Sequence, residues 1–212
     1  STLACPDFSW QDIYSMAKDF NFNGIEIRGL GSDIFSVKAP PFTDAQLPNT
    51  LAKLRELKLE IPCLSSGEPV NDINTRDKAI AEITAYAELA SKLGTGFIRV
   101  LGDRDPAPTG DVDDSVVIDT MKLLVPVAEK YNVTLLIETN GVYSDTARLK
   151  KVLDAIDSRK VAALWDMHHP YRFMGESPAT TVNNLGTYIK HVHVKDSVIE
   201  NGKVVYKMMG TG

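Results

Sequence analysis

The stretches VTLLIET (133–139), KVAALWDM (160–167) and KHVHVKD (190–196) decide the fold. Each is a short apolar run that closes on ionisable residues. Side chains of a strand alternate between its two faces with a period of two. In the third stretch His191, His193 and Lys195 therefore share one face, and Val192 and Val194 share the other. In the first, Glu138 lies on the face of Leu136; in the second, Asp166 lies on the face of Leu164 and Ala162. Each of these last two strands sends apolar side chains inward first and an ionisable one at its mouth. Glu138 and Asp166 are 28 residues apart, and Asp166 and His193 are 27 apart. Each interval is about one strand–helix unit, so the three side chains fall on adjacent strands at similar height.

Working outward, FNGIEIRG (22–29), LEIPCLSS (59–66) and GFIRVLGD (96–103) are further candidate strands, and residues 1–4 read as the tail of an earlier one. Amphipathic stretches separate them. Ile13, Met16, Ala17 and Phe20 mark a helix over 8–21; Leu47, Leu51, Leu54 and Leu57 mark one over 43–58; Ile80, Ile83, Ala87 and Ala90 mark one over 75–93; 114–131 and 145–156 repeat the theme. Thr43 before Gln46 has capping-box spacing, and Ser9 before Asp12 fits the looser form. The longest irregular segment, 102–113, is rich in Asp, Pro and Gly and reads as one loop on the active-site side.

Strand–helix alternation implies a parallel sheet covered by helices. No glycine-rich nucleotide fingerprint follows a strand, which removes the usual open-sheet sites. Ionisable or polar residues instead close nearly every strand: Arg28, Ser65, Arg99, Glu138, Asp166 and His193. A closed barrel assembles its site from many strand ends, whereas an open sheet concentrates it at one switch point. The expected fold is a single-domain (β/α)8 TIM barrel over 1–212. The strand rhythm puts the next strand end near residue 220, so the chain as given is expected to lack the last βα unit and part of the first strand.

The 212 residues are 43% hydrophobic and 24% charged, ordinary for one globular domain. A net charge of −5 argues against nucleic acid or an anionic membrane as partner. No apolar run approaches the roughly 20 residues that span a bilayer, and STLACPDFSW carries neither region of a secretory signal. Cys5 and Cys63 show no metal or redox spacing and read as reduced thiols of a cytoplasmic protein.

Two carboxylates converging on one mouth repel each other, and burying either without a partner costs several kcal/mol. A divalent cation resolves both problems. Glu138, Asp166 and His193 suit Mn²⁺, Mg²⁺, Co²⁺ or Zn²⁺. Any one of them alone reads better as a satisfied mouth residue or salt-bridge partner; the three together, at matching spacing and parity, favour the metal. Arg28 and Lys195 face the same mouth and could bind a substrate oxygen, carboxylate or phosphate, or pair with Glu26 and Asp196. His191 reads as an inward structural histidine and Trp165 as packing between barrel and helices. His168 has the parity to point away.

The run LLIETNGVYSDTARLKKVLDAI…VAALWDMHHP…HVHVKD, with the opening STLACPDFSW…GIEIRG, resembles the xylose isomerase-like barrel superfamily over nearly the whole chain. The resemblance implies a divalent-metal-dependent isomerase or epimerase of a sugar or sugar phosphate, working in carbohydrate metabolism through an enediolate. It assigns Glu138, Asp166 and His193 as metal ligands, Glu138 as an acid/base, and His169 as a catalytic and substrate-contacting residue. A fourth ligand, a Glu on the last strand of that family, is expected beyond Gly212. Many members carry a His two residues after the first Glu, where this chain has Asn140. A keto-polyol dehydratase on the same ligands, and a sugar-binding or inactive barrel, are the alternatives. The expected partner is a small-molecule sugar, with assembly into a homo-oligomer left open.

Overall fold

The computed structural model describes residues 1–212, and its core is a run of parallel strands met in chain order. Strands β1 (Cys63–Ser65), β2 (Phe97–Val100), β3 (Thr134–Glu138), β4 (Val161–Asp166) and β5 (Ile189–His193) pair as β1-β2-β3-β4-β5. An extended segment ahead of them joins the edge. Gly24 and Ile27 bridge in parallel to Glu60 and Leu64, and Ile25 N–H donates to Glu60 O at 2.8 Å.

The sheet is strongly curled. In a flat sheet its outer segments would lie about 24 Å apart, five steps of roughly 4.8 Å. Yet Glu26, on the first segment, is hydrogen-bonded to His191 and His193 on β5 at 2.9–3.0 Å. Edges that touch through their inward side chains make a barrel wall, as the strand-end pattern predicts. The interior is layered accordingly: Leu136, Ala162 and Leu164 pack together with Phe97 beneath Glu138 and Asp166. The opposite faces of the strands meet helices α3 (Arg76–Leu93), α4 (Asp114–Lys130) and α5 (Thr146–Ile156), which lie side by side in sequence order.

Local chemistry explains the boundaries. Helix α1 (Trp10–Asp19) opens on the expected capping box, Ser9 accepting from Asp12 N–H while Asp12 accepts from Ser9 N–H. Thr43 forms no such box. Its hydroxyl donates to Pro40 O, and α2 (Leu47–Leu57) starts four residues later than the expected 43. Pro48 dictates this, because proline is tolerated only in the first helical turn. Pro62 likewise shortens the expected strand 59–66 to β1.

Three further differences from the sequence reading have local causes. Residues 1–4 are not a strand tail; Thr2–Ala4 is a 3-10 turn, tied by Thr2 N–H to Glu26 O and by Arg28 N–H to Thr2 Oγ1. Two helices were not anticipated after β4, α6 (His168–Met174) and α7 (Pro178–Leu185). After β5 the chain forms an antiparallel hairpin, β6 (Asp196–Glu200) and β7 (Lys203–Lys207). Its turn is Asn201-Gly202, both at positive φ, the type I′ geometry that Asn-Gly favours. Val192 and Val194 do point outward from β5, but they stay exposed rather than packing under a helix.

Gly24 tests how the first segment docks. A Cβ there would sit 2.8 Å from Glu60 O, a backbone atom that cannot swing aside, whereas one at Gly96 would meet nothing within 4 Å. Gly24→Ala is expected to cost about 1–3 kcal/mol in urea unfolding, and Gly96→Ala to leave stability within about 1 kcal/mol of wild type.

Candidate functional site

The mouth of the barrel gathers three carboxylates and their cations. Asp166 ends β4 beside His193 of β5, its direct partner in register, and Glu138 ends β3 opposite Leu164. One ligand atom from each of Glu138, Asp166 and His193 lies within 4.8 Å of the other two. The structure thus brings together the three residues that spacing and parity single out.

Each carboxylate is held in its own way. Glu138, 2% exposed, accepts from Arg99 Nε at 2.6 Å and faces His193 Nδ1 at 3.1 Å. Arg99 is itself buried and donates its other edge to Ser66 O at 2.8 Å, so it is a brace for Glu138 rather than a free basic group. Asp166 is fully buried. Its Oδ1 accepts the N–H of His168 at 3.0 Å, at the start of α6. Its Oδ2 has no well-directed hydrogen bond and is met by the Lys195 ammonium at 2.5 Å. Lys195 pairs with Asp166, not with Asp196, and also reaches His169 Nε2 at 3.0 Å. Arg28 makes no ion pair; its exposed guanidinium feels the charges of Arg99, Glu138 and Glu26.

Glu26 is the member that sequence reasoning missed, having weighed it only as a partner for Arg28. Ile25 and Ile27 are buried in the main core, so Glu26 and Arg28 must face the interior, Glu26 one layer deeper. Its carboxylate accepts from Ser65 Oγ at 2.7 Å and meets Nε2 of both His191 and His193. His191 is therefore the inward structural histidine its parity indicates.

The charges shift one another. Burial opposes ionisation of Glu138, but Arg99 and His193 outweigh it and hold the carboxyl well below its usual range. Burial likewise opposes Glu26, and His191 and His193 depress it. Burial also opposes charge on His193, yet its hydrogen bonds to Glu138 and Glu26 push the pKa up to about 9. His169 is pulled down, first by burial. With Nδ1 against Thr139 O at 3.0 Å, an acceptor only, its Nε2 lone pair faces the mouth.

Two other polar residues of this end serve the frame. His168 does not point into solvent: it is buried, its Nε2 lies 2.7 Å from Ser197 Oγ, and its ring packs on Tyr206, which ties the hairpin to α6. Asn140 Nδ2 donates to Asp103 O and Asp105 O at 3.0 and 2.9 Å, anchoring the 102–113 loop beside the site. Cys5 and Cys63 are free and buried, and no helix is long and apolar enough to cross a membrane.

Comparison with known proteins agrees with this architecture. No curated protein matches the sequence. Among solved structures, a IolI protein with a bound zinc atom superposes with a TM-score of 0.73 at 16% identity, covering 98% of this chain and 76% of its own. A D-psicose 3-epimerase solved in the presence of D-fructose gives 0.73 at 14% identity, with 96% and 73% covered. The probable 3-DHS dehydratase AsbF from Bacillus anthracis gives 0.70 at 20% identity, with 90% and 69% covered. Likeness at such identities establishes the fold and not the reaction. The family model for xylose isomerase-like TIM barrels matches residues 15–212, nearly the whole chain, and the chain belongs to that family.

Proposed function

We propose that this protein is a divalent-metal-dependent isomerase or epimerase of a sugar or sugar phosphate, with Glu138, Asp166 and His193 as metal ligands. The single observation that carries the reading is the cluster itself: one ligand atom from each of Glu138, Asp166 and His193 lies within 4.8 Å of the other two, and the fully buried Asp166 Oδ2 is met there by the Lys195 ammonium with no well-directed hydrogen bond. The donor set of two carboxylates and an imidazole suits Mn²⁺, Mg²⁺, Co²⁺ or Zn²⁺. Zinc in the IolI structure supports a divalent ion in this fold.

A bound ion would supply Lewis-acid polarisation of a substrate carbonyl and its neighbouring hydroxyl. The chain's own residues have distinct tasks. Arg99 keeps Glu138 ionised, the form needed both to ligate and to accept a proton from the substrate carbon. So weakly basic a carboxylate needs a substrate C–H already acidified next to a polarised carbonyl. His169, with Nδ1 committed to Thr139 O, would take a hydrogen bond from a substrate hydroxyl at Nε2 once Lys195, which meets that nitrogen at 3.0 Å, turns away. Lys195, whose ammonium meets Asp166, would turn to a substrate oxygen once that charge is otherwise satisfied. Arg28, unpaired at the mouth, would hold a peripheral oxygen or phosphate. A dehydratase of a keto-polyol is the second reading, supported by AsbF among the structural relatives; it shares the proton-abstraction step and then expels a hydroxyl as water.

Metal-stripped protein reloaded with each of the four ions is to be assayed on keto- and aldo-sugars and their phosphates by product mass. Unchanged mass supports isomerisation and loss of water supports dehydration; no conversion with any ion refutes both. Asp166→Asn, nearly isosteric, is expected to abolish stoichiometric Mn²⁺ binding and to lower kcat/KM by about 10³-fold or more.

The metal-free protein also has a defined pH profile. Glu26 and Glu138 titrate below their ordinary 4.5, so their stabilisation is complete above that pH and falls away in acid. His193 titrates above its ordinary 6.5, so its stabilisation is complete below 6.5 and is lost as pH rises through about 9. Their joint contribution peaks between pH 4.5 and 6.5. Thermal midpoints of the stripped protein should decline on both sides of that window. Added Zn²⁺ or Mn²⁺ should remove the alkaline decline, because the ion replaces the proton on His193.

A further inference from the structure

Between the two edges of the curled sheet, the His193 ring is gripped on both sides. Nδ1 faces Glu138 Oε1 at 3.1 Å, toward the candidate ligands, and Nε2 lies 2.9 and 3.0 Å from the two oxygens of Glu26. A ligating histidine offers one nitrogen as a lone pair and needs the other to keep its proton, which a carboxylate behind the ring secures. Glu26 is placed to do this. It is buried at 7% exposure on the far edge of the ring, and it is held there by the Ser65 hydroxyl at 2.7 Å and His191 Nε2 at 3.0 Å.

We propose that Glu26 is the positioning residue of the metal centre: it fixes the Nε2–H tautomer and the ring plane of His193, so that Nδ1 is the nitrogen that binds the ion. The inference rests on the metal reading above. With an ion held at Nδ1, the Nε2 proton would stay on its hydrogen bond to Glu26. Ser65 and His191 have no ligand to touch; their part is to keep the Glu26 carboxylate aimed. A purely structural Glu26, clamping the first segment to β5, would need none of this tautomer selectivity.

The test uses the full chain and Mn²⁺ or Zn²⁺ alone. Free Mn²⁺ is counted by electron paramagnetic resonance in titrations of wild type, Asp166→Asn and Glu26→Gln. Wild type should bind one ion, Asp166→Asn none, and Glu26→Gln one ion with Kd raised about 10- to 100-fold. Independently, long-range ¹⁵N–¹H spectra of the Zn²⁺-loaded wild type should show His193 protonated at Nε2 and metallated at Nδ1, a readout that needs no variant to fold. Glu26→Gln binding Mn²⁺ as tightly as wild type, or a metallated Nε2, overturns the role of Glu26 while leaving the metal site standing. Absence of any Mn²⁺ binding that Asp166→Asn abolishes overturns the metal reading, and this inference with it.

Discussion

Two buried carboxylates at one end of a barrel wall must be neutralised, and much of the site's architecture follows from how this is done. Glu138 and Asp166 would each cost several kcal/mol if left alone in the interior. The chain answers with three cations of different kinds. Arg99 is permanently charged and braces Glu138 while anchored to Ser66 O. His193 takes its charge from its neighbours and can give it up. Lys195 pairs with Asp166 at 2.5 Å from a partly exposed side chain. On the reading proposed above, one ion would take the place of two of these three cations.

Much of this was legible in sequence. Strand parity placed Glu138, Asp166 and His193 on inward faces, and even intervals placed them on neighbouring strands. Both follow from the backbone period and the repeat of a strand–helix unit, which few tertiary effects override. Arg99 and Glu26 were less legible for one shared reason. An inward ionisable residue can face a substrate or another residue, and only three-dimensional closure decides which. Glu26 meets residues 165 and 167 positions away, a contact that exists only because the sheet curls.

Other misses were local and physical. Pro48 and Pro62 trimmed a helix and a strand that periodicity alone would extend. Asn201-Gly202 between the apolar runs Val198-Ile199 and Val204-Val205 is a hairpin signal that the strand rhythm before it overshadows. His168 was judged by strand parity although it begins a helix, where that rule does not apply. Asn140, where many members of the resembled family carry a His, spends its amide on the 102–113 loop here. That couples the order of the loop to the end of β3.

The Arg99–Glu138 pair has a consequence for heredity. Removing one partner of a buried ion pair strands the other, at about 3–5 kcal/mol, a large share of a domain's total stability. A lineage relaxing its need for the reaction could not drift freely at Glu138, because the guanidinium beneath would punish folding first. Exchange at either position would be tolerated only alongside exchange at the other. The two residues are coupled energetically, so a change at either reaches the fold before it reaches any chemistry at the mouth.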